Sequence, residues 1–361
     1  MRGILYLTQL AIAGFSFACC LAHRPLAARA PSSYKRRMKF LPTLAALLSL
    51  CTAACFAEKY TIAMIPKGTT HEFWKSVHAG GLRAVEELKA EGITVDLVWK
   101  GPLKEDDRDQ QIALVENFTA RKVSGICLAP LDSQALVRPV NSAVKAKVPV
   151  VVFDSGVKTG EVVSFVATDN FKGGQLGGEA LAKQLGGKGK VILLRYMVGS
   201  NSTEEREAGF LDAMKKYPGI QIISSDQYSG STRESAYAKA QNILNRFGRE
   251  VDGIFCPCEP VTTAVTKAIR EIGRAGGQVK IIGFDAGTQS VADLEKGDVQ
   301  GLVLQNPMRI GGDALKALVA HLQGKPVEKR IDTGVVVVTK ENIADPANAE
   351  LLRPPLEKYL K

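Results

Sequence analysis

Acidic residues are absent from the first 57 positions of this 361-residue sequence, although the whole chain carries 37 of them. The same stretch holds seven of the 47 basic residues, so positions 58–361 keep 40 basic residues and a net charge of +3. The formal charge of +10 is therefore mostly N-terminal. Because nucleic-acid binding relies on a strongly basic surface, we expect no nucleic acid as a partner.

Cysteine and histidine are also scarce. Only three of seven cysteines lie beyond position 57, without paired C-x-x-C spacing, and the whole chain has four histidines. This excludes a disulfide framework and a paired-cysteine zinc site. The segment Cys256-Pro257-Cys258 leaves open a metal pair, a strained disulfide or free buried thiols, with Cys258 at the wall of a cleft. No phosphate-binding loop, G-x-S-x-G elbow or H-E-x-x-H motif occurs, so we expect no enzyme, no metal and no cofactor.

Positions 1–57 have the features of a leader. A basic segment at 34–39 precedes an apolar run, Phe40 to Ala54, which is too short for an ordinary membrane span. Small residues follow, so cleavage after Ala57 is predicted and 38–57 forms a signal peptide. Alternatively, Cys55 ends a weak lipobox and carries a lipid anchor.

The start of the chain is a separate question. Met38 heads a complete signal peptide, so positions 1–37 are predicted to be a misassigned start. The alternative is an N-terminal membrane anchor, because Ile4 to Ala22 is a second apolar stretch.

From residue 59 onward, buried β-branched runs alternate with segments of helical period. This pattern predicts an α/β fold with doubly wound parallel sheets. The runs 150–156 and 280–287 resemble each other, since both end in Phe-Asp-small-Gly. Eleven predicted strands are too many for one small open sheet, so two similar lobes are expected. The glycines of 173–178 lack the dinucleotide fingerprint and are predicted to allow close helix packing.

Ligands of open α/β sheets bind at the carboxyl ends of strands, so the residues there are the candidate site. Asp154 and Asp285 each follow an apolar run, where a carboxylate either caps a helix or accepts bonds from two hydroxyls. Arg206 offers a fork of donors, and the amide of Gln305 suits a hydroxyl. Tyr228 is either a stacking face or an ordinary turn aromatic.

An aromatic pair, Phe73-Trp74, opens the helix after the first strand. Its two interpretations are core packing and a platform for the apolar face of a sugar ring.

Over residues 59–340 the chain resembles periplasmic sugar-binding proteins of the ribose-binding type, the soluble receptors of ABC importers. The likeness rests on 150–156, on 160–164 with 168–170, on Arg206 with Gly209-Phe210, on 282–285 and on 304–307. It implies a type I periplasmic binding fold with two lobes joined by three crossovers. The lobes are expected at 58–168 plus 306–332 and at 169–305 plus 333–361. The resemblance also implies a sugar ring sandwiched by Phe73 and Trp74 and hydrogen-bonded by Asp154, Arg206, Asp285 and Gln305.

Three positions depart from the ribose-binding pattern. His71 and Cys258 replace asparagines, and Ser155 replaces an arginine, so ribose itself is not the expected ligand. The segments 65–67 and 100–102, with Asp154-Ser155, look instead like rhamnose and autoinducer-2 receptors, in which pattern Lys67 would reach the ligand.

The resemblance implies an exported, monomeric receptor that captures a monosaccharide and passes it to an ABC permease with its ATPase. It would act in the periplasm or at the outer face of the cell membrane. Alternatives are a receptor for a furanosyl signal, or one that feeds a sensor kinase. A sugar-responsive transcription regulator shares the architecture, but it needs a helix-turn-helix where this chain has an apolar leader.

Overall fold

The computed structural model of the chain describes residues 58–360. The predicted leader, the start at Met38 and lipidation of Cys55 therefore lie outside the described residues. Within the described range, strands and helices alternate and form two six-stranded sheets, as the sequence predicts. None of the helices between residues 58 and 360 is long and apolar enough to cross a membrane.

Most consecutive strands within each sheet are connected by a helix. The strands are β1 (Lys59–Ile65), β2 (Thr94–Trp99), β3 (Gly125–Leu128), β4 (Val150–Phe153), β5 (Ser164–Ala167), β6 (Lys188–Leu193), β7 (Gly219–Ser224), β8 (Gly253–Phe255), β9 (Lys280–Phe284), β10 (Gly301–Leu304), β11 (Arg330–Asp332) and β12 (Val336–Val338). The first sheet has the order β11-β5-β4-β3-β1-β2 and the second β12-β10-β9-β8-β6-β7. The strand pairs are parallel except β10 with β12, which is antiparallel, so the second sheet is mixed.

Helices cover both faces of each sheet. They are α1 (Glu72–Ala90), α2 (Arg108–Ala120), α3 (Val137–Lys145), α4 (Asn170–Gln184), α5 (Asn201–Met214), α6 (Arg233–Phe247), α7 (Glu259–Glu271), α8 (Thr288–Lys296), α9 (Pro307–Leu322), α10 (Ala349–Leu352) and α11 (Leu356–Tyr359). Helices α1 and α9 pack on one face of the first sheet, and α2 and α3 on the other. Helices α4 and α5 cover one face of the second sheet, and α6, α7 and α8 the other. We call the first sheet with its helices lobe 1 and the second with its helices lobe 2.

Glycines allow the two closest helix pairs to form. A Cβ at Gly174 would lie 2.0 Å from the carbonyl oxygen of Arg206, so α4 meets α5 backbone to backbone. In lobe 1, a Cβ at Gly80 would lie 1.9 Å from the carbonyl oxygen of Met308, where α1 meets α9. The glycine-rich segment 173–178 therefore serves close helix packing, as predicted.

The chain passes between the sheets three times, between β5 and α4, between β10 and α9, and between β11 and β12. Strand β11 escaped prediction, because it is a three-residue edge strand whose side chains are mostly exposed. The C-terminal segment touches both lobes, since Leu352 joins the core of lobe 2 while α11 contacts α1 of lobe 1.

Candidate ligand-binding site between the lobes

A cavity lies between the lobes at the carboxyl ends of the strands. The empty space within it is about 360 Å³, including the part open to solvent. Lobe 1 supplies residues that follow β1, β2 and β4, and lobe 2 supplies residues that follow β6, β8, β9 and β10. The lining residues are Lys67, His71, Phe73, Trp74, Glu105, Asp154, Tyr196, Ser202, Thr203, Arg206, Cys258, Glu259, Pro260, Asp285 and Gln305.

Nine of the eleven residues proposed from the sequence line this cavity, and two do not. Ser155 is fully buried beside it, where its hydroxyl accepts a hydrogen bond from the Ser202 amide at 3.2 Å. Tyr228 is 39% exposed and lies outside the cavity. The Arg195 guanidinium lies over the Tyr228 ring, with Cζ 5.8 Å from the ring centroid. Tyr228 is therefore an ordinary turn aromatic.

The two aspartates occupy equivalent places in the two sheets. Asp154 follows β4 and Asp285 follows β9, each the third strand in its sheet order. Both have left-handed backbones, with φ of 60° and 68°. A positive φ is uncommon for residues other than glycine, and such conformations concentrate at binding sites. The sharp turn carries each carboxylate off the strand end and into the cavity.

Each aspartate has a cation beside it. Lys67 Nζ lies 3.4 Å from Asp154 Oδ2, and Arg206 NH1 lies 3.7 Å from Asp285 Oδ2. Burial raises the pKa of Asp285 to about 6, although Arg206 and the hydrogen bond from Gln305 oppose the shift and Asp154 adds to it. The carboxylate of Asp285 is therefore ionised at neutral pH but sensitive to its surroundings.

Arg206 lies on the lobe 2 side of the cavity, and its guanidinium is fixed by several contacts. Its Nε donates to Asn170 Oδ1 at 2.8 Å, and NH1 donates to the carbonyl of Pro257 at 3.0 Å. Its Cζ lies 4.0 Å from the centroid of the Phe284 ring. Stacking and hydrogen bonds fix the guanidinium plane, so its fork is oriented before a ligand arrives.

Lys67 reaches the cavity, as the rhamnose-like pattern implies, but it also joins the lobes. Its Nζ donates to Ser200 Oγ at 3.1 Å and to Ser202 Oγ at 2.9 Å, both in lobe 2. Asp154 is the charged partner of this ammonium.

The aromatic pair does not form the predicted sandwich. The rings of Phe73 and Trp74 meet edge to face, with centroids 5.0 Å apart and planes at 80°. A sugar ring cannot fit between two rings in that arrangement. The reason is local, since neighbouring residues on a helix point about 100° apart. Each ring can still offer a face or an edge to the cavity separately.

Six lining residues escaped the sequence interpretation. Glu105 follows β2 and Tyr196 follows β6, so the strand-end rule applied evenly to every strand would have found both. Glu259 stands directly after Cys258, and its carboxylate pairs with Arg233. The others are Ser202, Thr203 and Pro260.

The cysteines of the segment 256–258 are free thiols. Cys256 and Cys258 are both buried and unbonded to each other, and Cys258 lines the cavity as expected. Burial, together with the charge of Asp285, raises the pKa of Cys258 well above its ordinary range, so it stays a thiol. Among residues 58–360, no group of three or more His, Cys, Asp or Glu side chains is placed to hold a metal ion.

A two-lobed fold with a polar cavity at facing strand ends defines a class of receptors that close around small solutes. The family model for the periplasmic binding protein domain matches residues 62–326 of the chain. The chain belongs to this family. The resemblance seen in the sequence and the predicted fold are thereby confirmed.

Known relatives bind sugars. The chain is 31% identical over 301 residues to a D-allose-binding periplasmic protein of Escherichia coli, covering 80% of this chain and 93% of that protein. A solved solute-binding protein from Agrobacterium radiobacter, in complex with D-arabinose, is 33% identical with a TM-score of 0.76, covering 82% of this chain and 99% of that chain. One from Agrobacterium vitis with bound D-fucose is also 33% identical, with a TM-score of 0.76 and coverage of 81% and 99%.

Proposed function

We propose that the chain is an exported receptor that closes two lobes around a neutral monosaccharide and presents it to an ABC permease with its ATPase. The relatives above bind D-allose, D-arabinose and D-fucose, and the cavity of this chain offers the chemistry that such ligands need. Neutral sugars present hydroxyls that both donate and accept, and so they suit a cavity of mixed carboxylates, cations and amides.

The observation that carries the proposal is the amide of Gln305. Gln305 lines the cavity, and its Nε2 donates to Asp285 Oδ1 at 2.7 Å, so the amide atom left for another partner is Oε1. This Oε1 is buried and has no hydrogen-bond partner among the described residues. A buried acceptor without a donor costs about 1–3 kcal/mol. A ligand hydroxyl that donates to Oε1 and lies beside Asp285 relieves that cost.

The charges of the cavity favour a neutral ligand. Its cationic side chains each face a carboxylate, and its fourth carboxylate, Glu259, is paired with Arg233. Among the described residues that line the cavity, no cation is therefore left to compensate a ligand phosphate or carboxylate. The other pairs are Lys67 with Asp154, His71 with Glu105, and Arg206 with Asp285.

Direct contacts between the lobes support closure as the mechanism. The backbone amide of Phe73 in lobe 1 donates to Glu259 Oε2 in lobe 2 at 3.3 Å, and Ser231 Oγ in lobe 2 donates to Asp106 Oδ2 in lobe 1 at 2.8 Å. The three crossing segments between the sheets are the parts of the chain that must bend when the lobes separate.

Isothermal titration calorimetry with D-ribose, D-allose, D-arabinose and D-fucose tests the proposal. Several charge-assisted hydrogen bonds, less the costs of ordering, support a Kd near micromolar, about −8 kcal/mol, for at least one of them. If a folded protein gives no heat with any neutral monosaccharide or polyol, the proposal is wrong.

Export is tested separately by fractionating cells that express the full chain. The proposal requires the protein outside the cytoplasm. Recovery in the cytoplasm would contradict it and favour a sugar-responsive regulator.

A further inference from the structure

Glu105 is a buried carboxylate at the aromatic end of the cavity, and it has three side-chain partners. His71 Nδ1 lies 2.6 Å from Oε1, and the indole Nε1 of Trp74 donates to the same oxygen at 2.7 Å. The hydroxyl of Tyr196 donates to Oε2 at 2.9 Å. Glu105, His71 and Trp74 belong to lobe 1, whereas Tyr196 belongs to lobe 2. The Glu105 carboxylate therefore contacts two residues of lobe 1 and accepts a hydrogen bond from one residue of lobe 2.

Two glycines, Gly68 and Gly101, allow the loop after β2 to approach the loop after β1 closely. A Cβ at Gly101 would lie 2.6 Å from Pro66 Cγ, and a Cβ at Gly68 would lie 2.9 Å from Glu105 Cγ. The loops after β1 and β2 can therefore pack closely enough for Glu105 to accept the hydrogen bond from the Trp74 indole. The next residue, Asp106, also contacts lobe 2 but does not line the cavity.

Charge holds the cluster together. Burial by itself would raise the pKa of Glu105, but the charge and hydrogen bond of His71, with Lys67 and Trp74, bring it to about 2. Burial would lower the pKa of His71, but Glu105 outweighs it and the net shift is upward. Glu259 and Arg233 also face His71 and act in opposite directions. The two opposite shifts in pKa favour the charged forms of both side chains.

We infer that Glu105 is the positioning residue of the proposed sugar site. It orients the Trp74 ring and the His71 imidazole through Oε1, favours the charged form of His71, and holds Tyr196 through Oε2 when the lobes close. This inference rests on the proposed function, because the ring and the imidazole are positioned for a ligand that the site must take.

The first test is Glu105→Gln, which keeps the shape of the side chain and removes its charge. The full chain is expressed, and the purified protein is titrated calorimetrically with the neutral sugar that the wild type binds. We expect the Kd to rise at least tenfold. The matched control is Glu116→Gln, the same substitution at an exposed glutamate of α2 outside the cavity, which is expected to change the Kd less than threefold. A Glu105→Gln variant within threefold of wild type would overturn the inference.

The second test follows the protonation of His71 by NMR, and it needs no ligand. We expect the pKa of His71 to lie above the ordinary 6.5 in the wild type and to fall below that value in Glu105→Gln. An unchanged pKa would contradict the role given to Glu105, even if the variant bound sugar poorly through a structural fault.

Tyr196→Phe tests the contact between the lobes separately from the cluster in lobe 1. It also provides a second variant in case Glu105→Gln fails to fold. It removes the donor from lobe 2 and leaves the lobe 1 cluster intact, so the pKa of His71 should stay while the Kd rises threefold or more. A normal Kd would remove Tyr196 from the inference. If the wild type binds no neutral sugar, the proposed function fails, and the His71 titration still decides whether Glu105 controls its neighbour.

Discussion

Asp154 and Asp285 are related to each other as equivalent residues of the two lobes. Each ends the same strand of its sheet in a left-handed conformation, and each backbone amide donates at 2.9 Å to the next strand, to Val166 and Val303 respectively. The charge of Asp154 also raises the pKa of Asp285, so the two carboxylates repel each other electrostatically across the cavity. One local structure, used twice, thus supplies a carboxylate from each lobe to the same cavity.

Replacing Asp285 by asparagine should weaken sugar binding without unfolding the protein. Asparagine tolerates a positive φ, so the turn after β9 is kept. The loss of a charge-assisted hydrogen bond is worth about 1.5–3 kcal/mol, which predicts a Kd at least tenfold higher at pH 7. Calorimetry measures the effect, and thermal unfolding provides the control. An unchanged Kd would remove Asp285 from the ligand site.

Affinity should depend on pH through the same carboxylate. Without ligand, the pKa of Asp285 is about 6. Ligand hydroxyls that donate to the ionised form lower this pKa, so binding releases a proton when the solution is below it. Affinity is therefore full above pH 6 and falls as the pH drops, approaching about tenfold per pH unit.

Titrations between pH 5 and pH 8 check this dependence. Asp285→Asn should show a flatter profile over the same range. A wild-type profile as flat as that of the variant would mean that Asp285 does not titrate on binding.

Anionic analogues should bind poorly. The carboxylates Asp154, Asp285 and Glu105 already neutralise the cations of the cavity. A sugar phosphate or sugar acid would bring an uncompensated charge into a buried site, and that cost exceeds the value of one hydrogen bond. We expect the acid form of the best neutral sugar to bind at least 100-fold more weakly in calorimetry. Comparable affinity for both would show that a cation in the site is free to pair.

The close contact of α4 with α5 predicts a sensitive position at Gly174. Alanine there would place a Cβ 2.0 Å from the carbonyl oxygen of Arg206, so the helices must separate. Such overpacking costs about 1–3 kcal/mol in free energy of unfolding, which exceeds the gain in helix propensity. Gly160→Ala is the control, because a Cβ there would meet no atom within 4 Å among the described residues other than Gly160 and its two chain neighbours. Equal denaturant midpoints for both variants would contradict the packing argument.

Much of the fold could be predicted because buried parallel strands leave a clear signature. Continuous apolar runs such as 150–153 and 280–284 mark strands covered on both faces, and residues at strand ends then mark the site. The shared ending of the two runs predicted the equivalence of Asp154 and Asp285. The edge strand β11 gave no such signal, since its residues are mostly exposed.

Side-chain geometry explains what the sequence could not show. Phe73 and Trp74 were expected to hold a ring between them, but their relative angle depends on the helix and on the bond from Trp74 to Glu105. The sequence does not distinguish Glu105 from the acidic residues that follow it, Asp106 and Asp107. The burial of Glu105 follows from Gly68 and Gly101, which matter only after the loops meet.

A crystal structure of the protein with the neutral sugar that it binds most tightly tests the central claim most directly. The account predicts the sugar between the lobes, with one hydroxyl about 3 Å from Gln305 Oε1 and within reach of Asp285, and another near Asp154. A sugar bound elsewhere, or one that leaves Gln305 Oε1 without a donor while the lobes are closed, would contradict the account.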